Sequence, residues 1–430
     1  MISRNTDRLG KNLWTELGQG DPVSLYAAFN EQDEARFIAE YLQRQFEGGM
    51  NRSEMAILYR SNAQSRAIEE AMLRFRIPYR IYGGQRFYER LEIKNALGYL
   101  RLVLNRDDDQ GFERVVNTPT RGIGNKTIDD VRSVARSEGV SMWQASVKLL
   151  ASGGLASRAA NALNGFLQTI EKIDHDIAEI PLDEGVDHLI NATGLLEFHR
   201  AEKGERGQAR VDNLFELVSA CKSFEVEDEE LRVLPQFLAQ ATLEAGDQQA
   251  EAHEDAVQMM TLHSAKGLEF PLVIMAGMEE NLFPHSMSVE EPGRLEEERR
   301  LCYVGITRAM KKLVLSYAES RRLHGEERYN AISRFVRDVP SELIDEVRVK
   351  APPSKPLRAK TPASSRRRFS TSDPGTDTGF DLGQRVNHPS FGPGVILGFE
   401  GQGAHARVQI NFDQAGSKWL VLSYARLEQA

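Results

Sequence analysis

Short, largely apolar runs alternate with amphipathic stretches through the first part of the chain. The runs are "VSLYAAF" at 23–29, "MAILYR" at 55–60 and "YRIYGG" at 79–84, and residues near 31–47 and 64–75 have the pattern of amphipathic helices. A strand-helix-strand-helix-strand order predicts a parallel sheet with right-handed crossovers. From about 88 to 250 the strand signal stops, and groups such as Leu97, Leu100, Leu102 and Leu104, then Val211, Leu214, Leu217 and Val218, predict helices almost throughout. Strands resume with "VQMMTL" at 257–262 and "PLVIMAG" at 271–277, apolar enough to be covered on both faces. A long helix is expected from about 292 to 312, with Pro292 in its first turn and Leu295, Arg299, Cys302, Ile306 and Met310 along one stripe. The run "LVLSYAE" then closes the unit as a strand.

The simplest arrangement is an α/β domain made of residues 1–87 and 255–345, with an all-helical domain, 88–254, inserted at a loop where the sheet stays intact. Residues 346–380 are rich in Pro, Ser, Thr and basic side chains, the composition of a disordered linker. Its stretch 348–368 has eight basic residues and no acidic one, which suits either a solvated tether or an arm lying against phosphates. Residues 381–430 carry short alternating strands between Gly-rich turns and are expected to form a small β-barrel.

Composition narrows the classes. No apolar run approaches the ~20 residues that span a bilayer, and the first residues lack an apolar signal core, so a cytoplasmic location is expected and a membrane partner is not. Two cysteines, Cys221 and Cys302, cannot build a disulfide scaffold or a cysteine zinc site, and the nine histidines lack metal-motif spacing, so no metal site is expected. A net charge of −9 argues against a general nucleic-acid coat but leaves room for a local basic track.

The chemistry concentrates in "TLHSAKGLEF", 261–270, where an apolar strand delivers a polar loop to the carboxyl end of a parallel sheet, the usual ligand edge of α/β folds. Glu269 has the acceptors for a ribose diol, and Lys266 and the backbone at Gly267 suit phosphates or nucleic acid. Ordinary surface loops also look like this. In the expected helix "EEERRLCYVGITRAMKK", Arg308 lies about 200° around from Ile306, off the apolar stripe. A guanidinium so placed suits the charge spreading over a transferring γ-phosphoryl group, and it equally suits a solvated helix face. Gly305 within a helix costs roughly 1 kcal/mol relative to Ala, which points to something held close against its backbone. "TRGIG", 120–124, is either a plain turn between helices or one whose amides meet phosphates.

The stretches "AILYRSNAQSR", "PYRIYGG", "NTPTRGIG", "DAVQMMTLHSAKGLEFP", "NLFPHSMS" and "EEERRLCYVGITRAMKKL" together resemble the superfamily 1A DNA helicases of the UvrD, Rep and PcrA type, the UvrD members above all. The resemblance runs from about Arg8 to Leu427 and implies a RecA-like motor domain interrupted by a helical insert and followed by a Tudor-like or SH3-like barrel. It implies that Glu269 contacts the ribose of ATP and that Arg308 is the catalytic arginine at the γ-phosphate. His263 and Lys266 would couple that site to single-stranded DNA, and Asn62 and Arg86 would touch the DNA backbone. Thr120, Arg121, Gly122, Ile123 and Gly124 would bind duplex DNA. His324 stands where the family usually has an aromatic residue that stacks on a base; imidazole offers less stacking area.

The resemblance further implies a 3′→5′ helicase of mismatch repair, nucleotide excision repair and replication, associated with the nucleoid. Its partners would be single-stranded DNA, the single-strand/duplex junction, repair proteins, and RNA polymerase through the barrel, where the alternation from Val408 to Phe412 suggests an edge strand for docking. No Gly-x-x-x-x-Gly-Lys-[Ser/Thr] phosphate loop occurs, and "GIGNKT" fails as one because Asn125 stands where glycine is required. ATP with Mg2+ is the implied cofactor, the metal ligands being expected in a first motor domain that these residues lack, and the chain by itself is expected to be inactive. The alternative is a non-catalytic module that binds DNA and RNA polymerase.

Overall fold

A computed structural model describes residues 2, 20–226, 231–246, 250, 254–291, 293–323, 326–347, 385–388, 392–400, 407–412, 416–421 and 427–429. The chain divides into two compact units, Met1–Ala351 and Pro352–Ala430. The first is built on a seven-stranded parallel sheet. Its strands are β1 (Val23–Ala28), β2 (Met55–Tyr59), β3 (Tyr79–Ile81), β4 (Val257–Thr261), β5 (Phe270–Met275), β6 (Ala309–Ala318) and, after the small hairpin β7 (Arg321–Leu323) and β8 (Glu326–Arg328), the edge strand β9 (Ile344–Glu346). They lie in the order β3-β4-β2-β5-β6-β1-β9. The hairpin and β9 are additions to the elements expected from sequence. Most of the stretch expected as a linker lies outside the described residues, but Glu346 pairs with Leu25 in β9.

Burial on both faces explains the apolar runs. In β2, Met55, Ile57 and Tyr59 enter the core under helices α1 (Glu31–Glu47) and α2 (Ser65–Arg74), while Ala56 and Leu58 enter the core on the opposite face. Asn30 caps α1 by accepting from the Asp33 amide at 2.9 Å.

Between β3 and β4, which are neighbours in the sheet, the chain makes an excursion of helices only. Among the described residues these are α3 (Leu91–Leu104), α4 (Asp109–Val115), α5 (Asn125–Glu138), α6 (Met142–Ser152), α7 (Ser157–Asp176), α8 (Leu182–Ala192), α9 (Leu195–Arg200), α10 (Glu205–Ser223) and α11 (Val233–Gly246). They bury their own core, from Phe87 through Phe112 and Leu163 to Phe237. The rest of the unit is α12 (Ser286–Glu290), α13 (Arg294–Ile306) and α14 (Arg334–Arg337). α13 is shorter than the helix expected over 292–312: its chain turns at Thr307, and the Arg308 carbonyl already accepts from the Phe270 amide at 2.9 Å as β6 begins.

A buried charge cluster ties the carboxyl ends of the central strands. Arg321 donates through Nε to both Glu279 carboxylate oxygens at 3.1 Å, through Nη2 to Glu279 at 2.6 Å, and through Nη2 also to Glu34. Glu34 accepts from the Gly277 amide (2.8 Å) and the Ser316 hydroxyl (2.7 Å), and Glu279 from the Ala318 amide (2.8 Å). Burial works against the Arg321 charge, but Glu279 and Glu34 outweigh it and hold its pKa well above the ordinary value.

The second unit is a five-stranded antiparallel sheet, β10 (Arg385–His388), β11 (Gly392–Glu400), β12 (Arg407–Phe412), β13 (Gly416–Val421) and β14 (Glu428–Gln429), in the order β13-β12-β11-β10-β14. Val386, Ile396, Val408, Ile410 and Phe412 form its core. β12, whose alternation suggests a docking edge in the sequence, is an interior strand paired on both sides, and β13 and β14 are the edges.

Where the helical excursion returns to the sheet, Glu244 of α11 borders a small cavity with Arg66, Glu69, Leu73, Arg86, Phe87 and Tyr88. Burial, and then the nearby Glu70 carboxylate, push the Glu244 carboxyl up to about 7 against the hydrogen bond that Gln240 donates at 2.8 Å. A raised carboxyl pKa favours the packed α11 most at low pH. The advantage is lost as pH rises from the unfolded value near 4.3 through about 7, a cost on the order of 2 kcal/mol after solvent screening. Glu244→Gln is therefore expected to raise the thermal midpoint at pH 8 and to change it little at pH 5, measured by circular dichroism across that range. An equal shift at both values would contradict the assignment.

Candidate nucleic-acid groove and nucleotide edge

β4 and β5 run parallel on either side of β2, so the segment that joins them must cross from the carboxyl edge of the sheet to its amino edge. "TLHSAKGLEF" is that crossing. It leaves β4 with the Leu262 amide bonded to the Tyr59 carbonyl at 2.9 Å and drives Leu262 and Ala265 into the core. It turns at Gly267 (φ 88°), a left-handed position that favours glycine, and begins β5 at Phe270. His263, Lys266 and Glu269 stay exposed. The expectation that the whole loop sits at the carboxyl edge is therefore corrected: His263 is there, and Glu269 is at the opposite edge, roughly 15–20 Å away for strands of this length.

Glu269 meets Arg308 at the amino edge. Arg308 brackets it by donating from Nη1 to the Leu268 carbonyl at 2.7 Å and by accepting the Phe270 amide with its own carbonyl. The guanidinium also donates to the Val304 carbonyl (3.0 Å) and the Thr307 hydroxyl (3.1 Å). Arg308 is thus not on the solvated face of a helix, as the sequence pattern implies, but half-buried in the turn behind one. Its three described acceptors are neutral, so its charge is uncancelled, and two of a guanidinium's five N–H groups remain. Glu269 makes no hydrogen bond or ion pair among the described residues. An exposed carboxylate beside an uncancelled guanidinium fits the sugar and phosphate ends of a nucleotide. The close approach expected at Gly305 comes from the protein itself: a Cβ there would stand 2.5 Å from Leu262 Cδ2 and 2.9 Å from Met275 Cε.

At the carboxyl edge a cleft of about 770 Å³ opens between the sheet and the helices. Asn62 and His263 line it together with five cations, Arg60, Arg200, Lys203, Arg206 and Arg294, against two carboxylates, Glu202 and Asp212. Arg60 is held by a bidentate pair with Glu298 of α13, Nε to the carboxylate at 2.9 and 3.0 Å and Nη2 at 2.7 Å. Glu298 also accepts the His285 amide at 3.2 Å. Sequence reading assigned no role to these cations. For Lys203 and Arg206 the charged run "EKGERGQAR" was the only local signal, and no periodicity links it to Arg60 at a strand end about 140 residues earlier.

The remaining expected site residues fall elsewhere. Arg86 is 3% exposed, donates to the Tyr79 hydroxyl at 2.9 Å and lies over that ring at 5.4 Å, so it is not presented to a DNA backbone. His324 lies outside the described residues, between β7 and β8. In 120–124, Arg121 turns inward to the Pro119 (3.0 Å) and Thr193 (2.8 Å) carbonyls, and Ile123 is buried, which anchors the loop and leaves Thr120, Gly122 and Gly124 exposed. No side chain caps α5 behind Gly124; the Thr127 amide donates to the Gly124 carbonyl at 3.0 Å, and the Asn125 and Lys126 amides are left for an external acceptor. The groove, the nucleotide edge and this loop therefore occupy three separate places.

Residues 1–320 match the UvrD-like helicase C-terminal domain family, and residues 382–429 the PcrA/UvrD tudor domain. The chain is 53% identical over 430 residues to DNA helicase II of Escherichia coli (strain K12), covering 100% of this chain and 59% of that protein. It is 50% identical over 431 residues to DNA helicase II of Haemophilus influenzae, covering 100% and 59%, and 38% identical over 442 residues to the ATP-dependent DNA helicase PcrA of Bacillus subtilis, covering 100% and 60%. The chain thus spans 59–60% of the length of these curated relatives.

The tight seat of Gly305 generates one expectation. Gly305→Ala is expected to destabilise the first unit by about 1–3 kcal/mol through overpacking against Leu262 and Met275. Urea unfolding followed by tryptophan fluorescence reads the change, and an unchanged midpoint would show that this seam is slack.

Proposed function

The chain belongs to the UvrD-like helicase family, and on that premise we propose that it supplies the second motor domain, the helical insert and the C-terminal tudor module of an ATP-dependent 3′→5′ DNA helicase and translocase. The motor comprises 1–87 and 255–345, the insert 88–254, a linker 346–380 and the tudor module 381–430. One observation carries the reading: a single crossing segment joins a basic cleft at one sheet edge to Glu269 and Arg308 at the other.

In this reading Glu269 accepts hydrogen bonds from the ribose of ATP, and Arg308 turns its uncancelled charge to the γ-phosphate. No cluster of three or more His, Cys, Asp or Glu side chains among the described residues would hold Mg2+, which with ATP would supply positive charge against the phosphates. The two remaining N–H groups can meet phosphate while Nη1 keeps the Leu268 carbonyl, so a pull on the guanidinium passes to the segment that carries Lys266 and His263. α13 is a second link, because Arg308 follows its last turn while Glu298 near its start holds Arg60 in the cleft. Single-stranded DNA lies in the cleft against Asn62, His263, Arg60, Lys203, Arg206 and Arg294. The exposed amides around Gly122 and Gly124 hold duplex phosphates. The tudor module docks an RNA polymerase segment on an edge strand, β13 or β14. The reading extends to mismatch and nucleotide excision repair proteins as partners and to a nucleoid location. No helix among the described residues is long and apolar enough to cross a membrane.

Two measurements test it. Binding of a fluorescein-labelled oligothymidylate, followed by anisotropy from low to moderate salt, is expected to weaken in Lys203→Ala/Arg206→Ala, with the salt slope reduced by about 0.7 per lost phosphate contact. An unchanged slope would remove the cleft from the DNA path. The 430 residues alone are expected to show no DNA-stimulated ATP hydrolysis, since they contain no phosphate loop. In the complete helicase Arg308→Ala is expected to lower turnover by about 10³ or more. Robust hydrolysis by the 430 residues, lost in Arg308→Ala, would overturn the division of labour.

A further inference from the structure

We propose that Arg90 is a positioning residue that couples the seating of the helical insert to the Asn62 segment of the DNA cleft. This rests on the reading above that Asn62 meets DNA, and it concerns a residue lying outside the cleft. Arg90 immediately precedes α3, the first helix of the insert, and is 6% exposed. Its fork divides between the two parts of the unit. On the motor side Nη1 donates to the Asn62 carbonyl at 2.9 Å and Nη2 to the Ser65 hydroxyl at 2.6 Å. On the insert side the same Nη1 donates to Asn213 Oδ1 of α10 at 2.9 Å.

Asn213, 3% exposed, is fixed in turn by its amide donating to Glu92 of α3 at 2.6 Å. Nε reaches the Gln85 carbonyl at 3.3 Å, and the Glu69 carboxylate stands 3.7 Å from Nη2. The guanidinium also lies over the Phe87 ring at 5.3 Å, which fixes its plane.

The physical consequence follows from burial. A buried polar group left without its partner loses more than the net worth of the bond, so the pairs at this seam move together or are replaced together. Displacement of α10 relative to the sheet carries Asn213 with it. Arg90 then either follows, drawing on the Asn62 carbonyl, or loses a partner at a site closed to water. The backbone that presents Asn62 to the cleft thereby registers where the insert sits. A lysine at 90 would put a compact point charge there and could not hold both sides with a planar fork. On its other flank the same short segment is held by the Arg60–Glu298 pair, so α10 and α13 grip one DNA-facing strand end from two directions.

The test is a double-mutant cycle on oligothymidylate affinity, measured by anisotropy with the 430-residue chain. Asn213→Ala removes the insert-side acceptor and leaves the cleft's own side chains intact. It is expected to weaken binding by about three- to tenfold in the otherwise unaltered protein and by less than twofold when Asn62→Ala is already present. Equal losses in both backgrounds, or no loss in either, would overturn the positioning role. Should Asn62→Ala alone leave affinity unchanged while Lys203→Ala/Arg206→Ala still lowers it, the Asn62 contact fails, and this inference with it, but the cleft stands. Thermal melting accompanies each variant. If Asn213→Ala does not fold, Ser65→Ala loosens the same guanidinium from the motor side, with the same non-additivity expected.

Discussion

Two carboxylates and one guanidinium, buried together at the carboxyl edge of the sheet, are the constraint on which the first unit depends. Glu34, Glu279 and Arg321 are each under 10% exposed, so their charges must be satisfied by one another and by fixed dipoles. One Arg against two Glu leaves an excess negative charge, and the Gly277 and Ala318 amides and the Ser316 hydroxyl are what stabilise it. Because Glu34 belongs to α1, Glu279 follows β5 and Arg321 follows β6, the cluster fixes where three chain segments leave the sheet. The root of the β7–β8 hairpin is set by those departures.

From that edge two structures run back across one face of the sheet. The crossing segment 261–270 descends from His263 to Glu269, and α13 runs from the Glu298–Arg60 pair to the turn that holds Arg308. They touch at Gly305, where the absence of a side chain lets Leu262 and Met275 close against the helix. On the proposed reading, a nucleotide pulling on Arg308 would meet two packed members in contact, and such members shift as bodies because close-packed interiors resist local deformation. That would be the physical content of the proposed coupling between the Arg308 edge and the cleft.

Much of this was legible in the sequence. Apolar runs located the main strands, because burial on two faces leaves no room for polar alternation, and the motif stretches named the chemistry. What escaped depends on tertiary geometry. Arg308 leaves its helix because sheet pairing with Phe270 captures its carbonyl, which helical periodicity cannot register. Arg86 turns inward because the Tyr79 hydroxyl is there to receive it. Lys203 and Arg206 join Asn62 only once α10 is laid across the sheet. β9 is three residues long and pairs with a single neighbour, too slight a run to stand out. The crossing of 261–270 from edge to edge follows from the parallel direction of β4 and β5, which the residues of the loop itself do not show.

The adjacency of β3 and β4 has a bearing on how the molecule assembles. Tyr79 pairs with Val257 although the entire helical insert lies between them, and in an unstructured chain closing a loop of that length opposes the pairing by about 4–5 kcal/mol. The same closure serves the β2–β4, β2–β5 and β1–β6 pairs, which likewise join strands from either side of the insert. Once the insert has condensed around its own core, its two ends emerge close together and the effective loop becomes short. Assembly of the whole sheet is therefore favoured by prior collapse of the insert, and a lesion deep in the helical core is expected to weaken the strand pairs that bridge it.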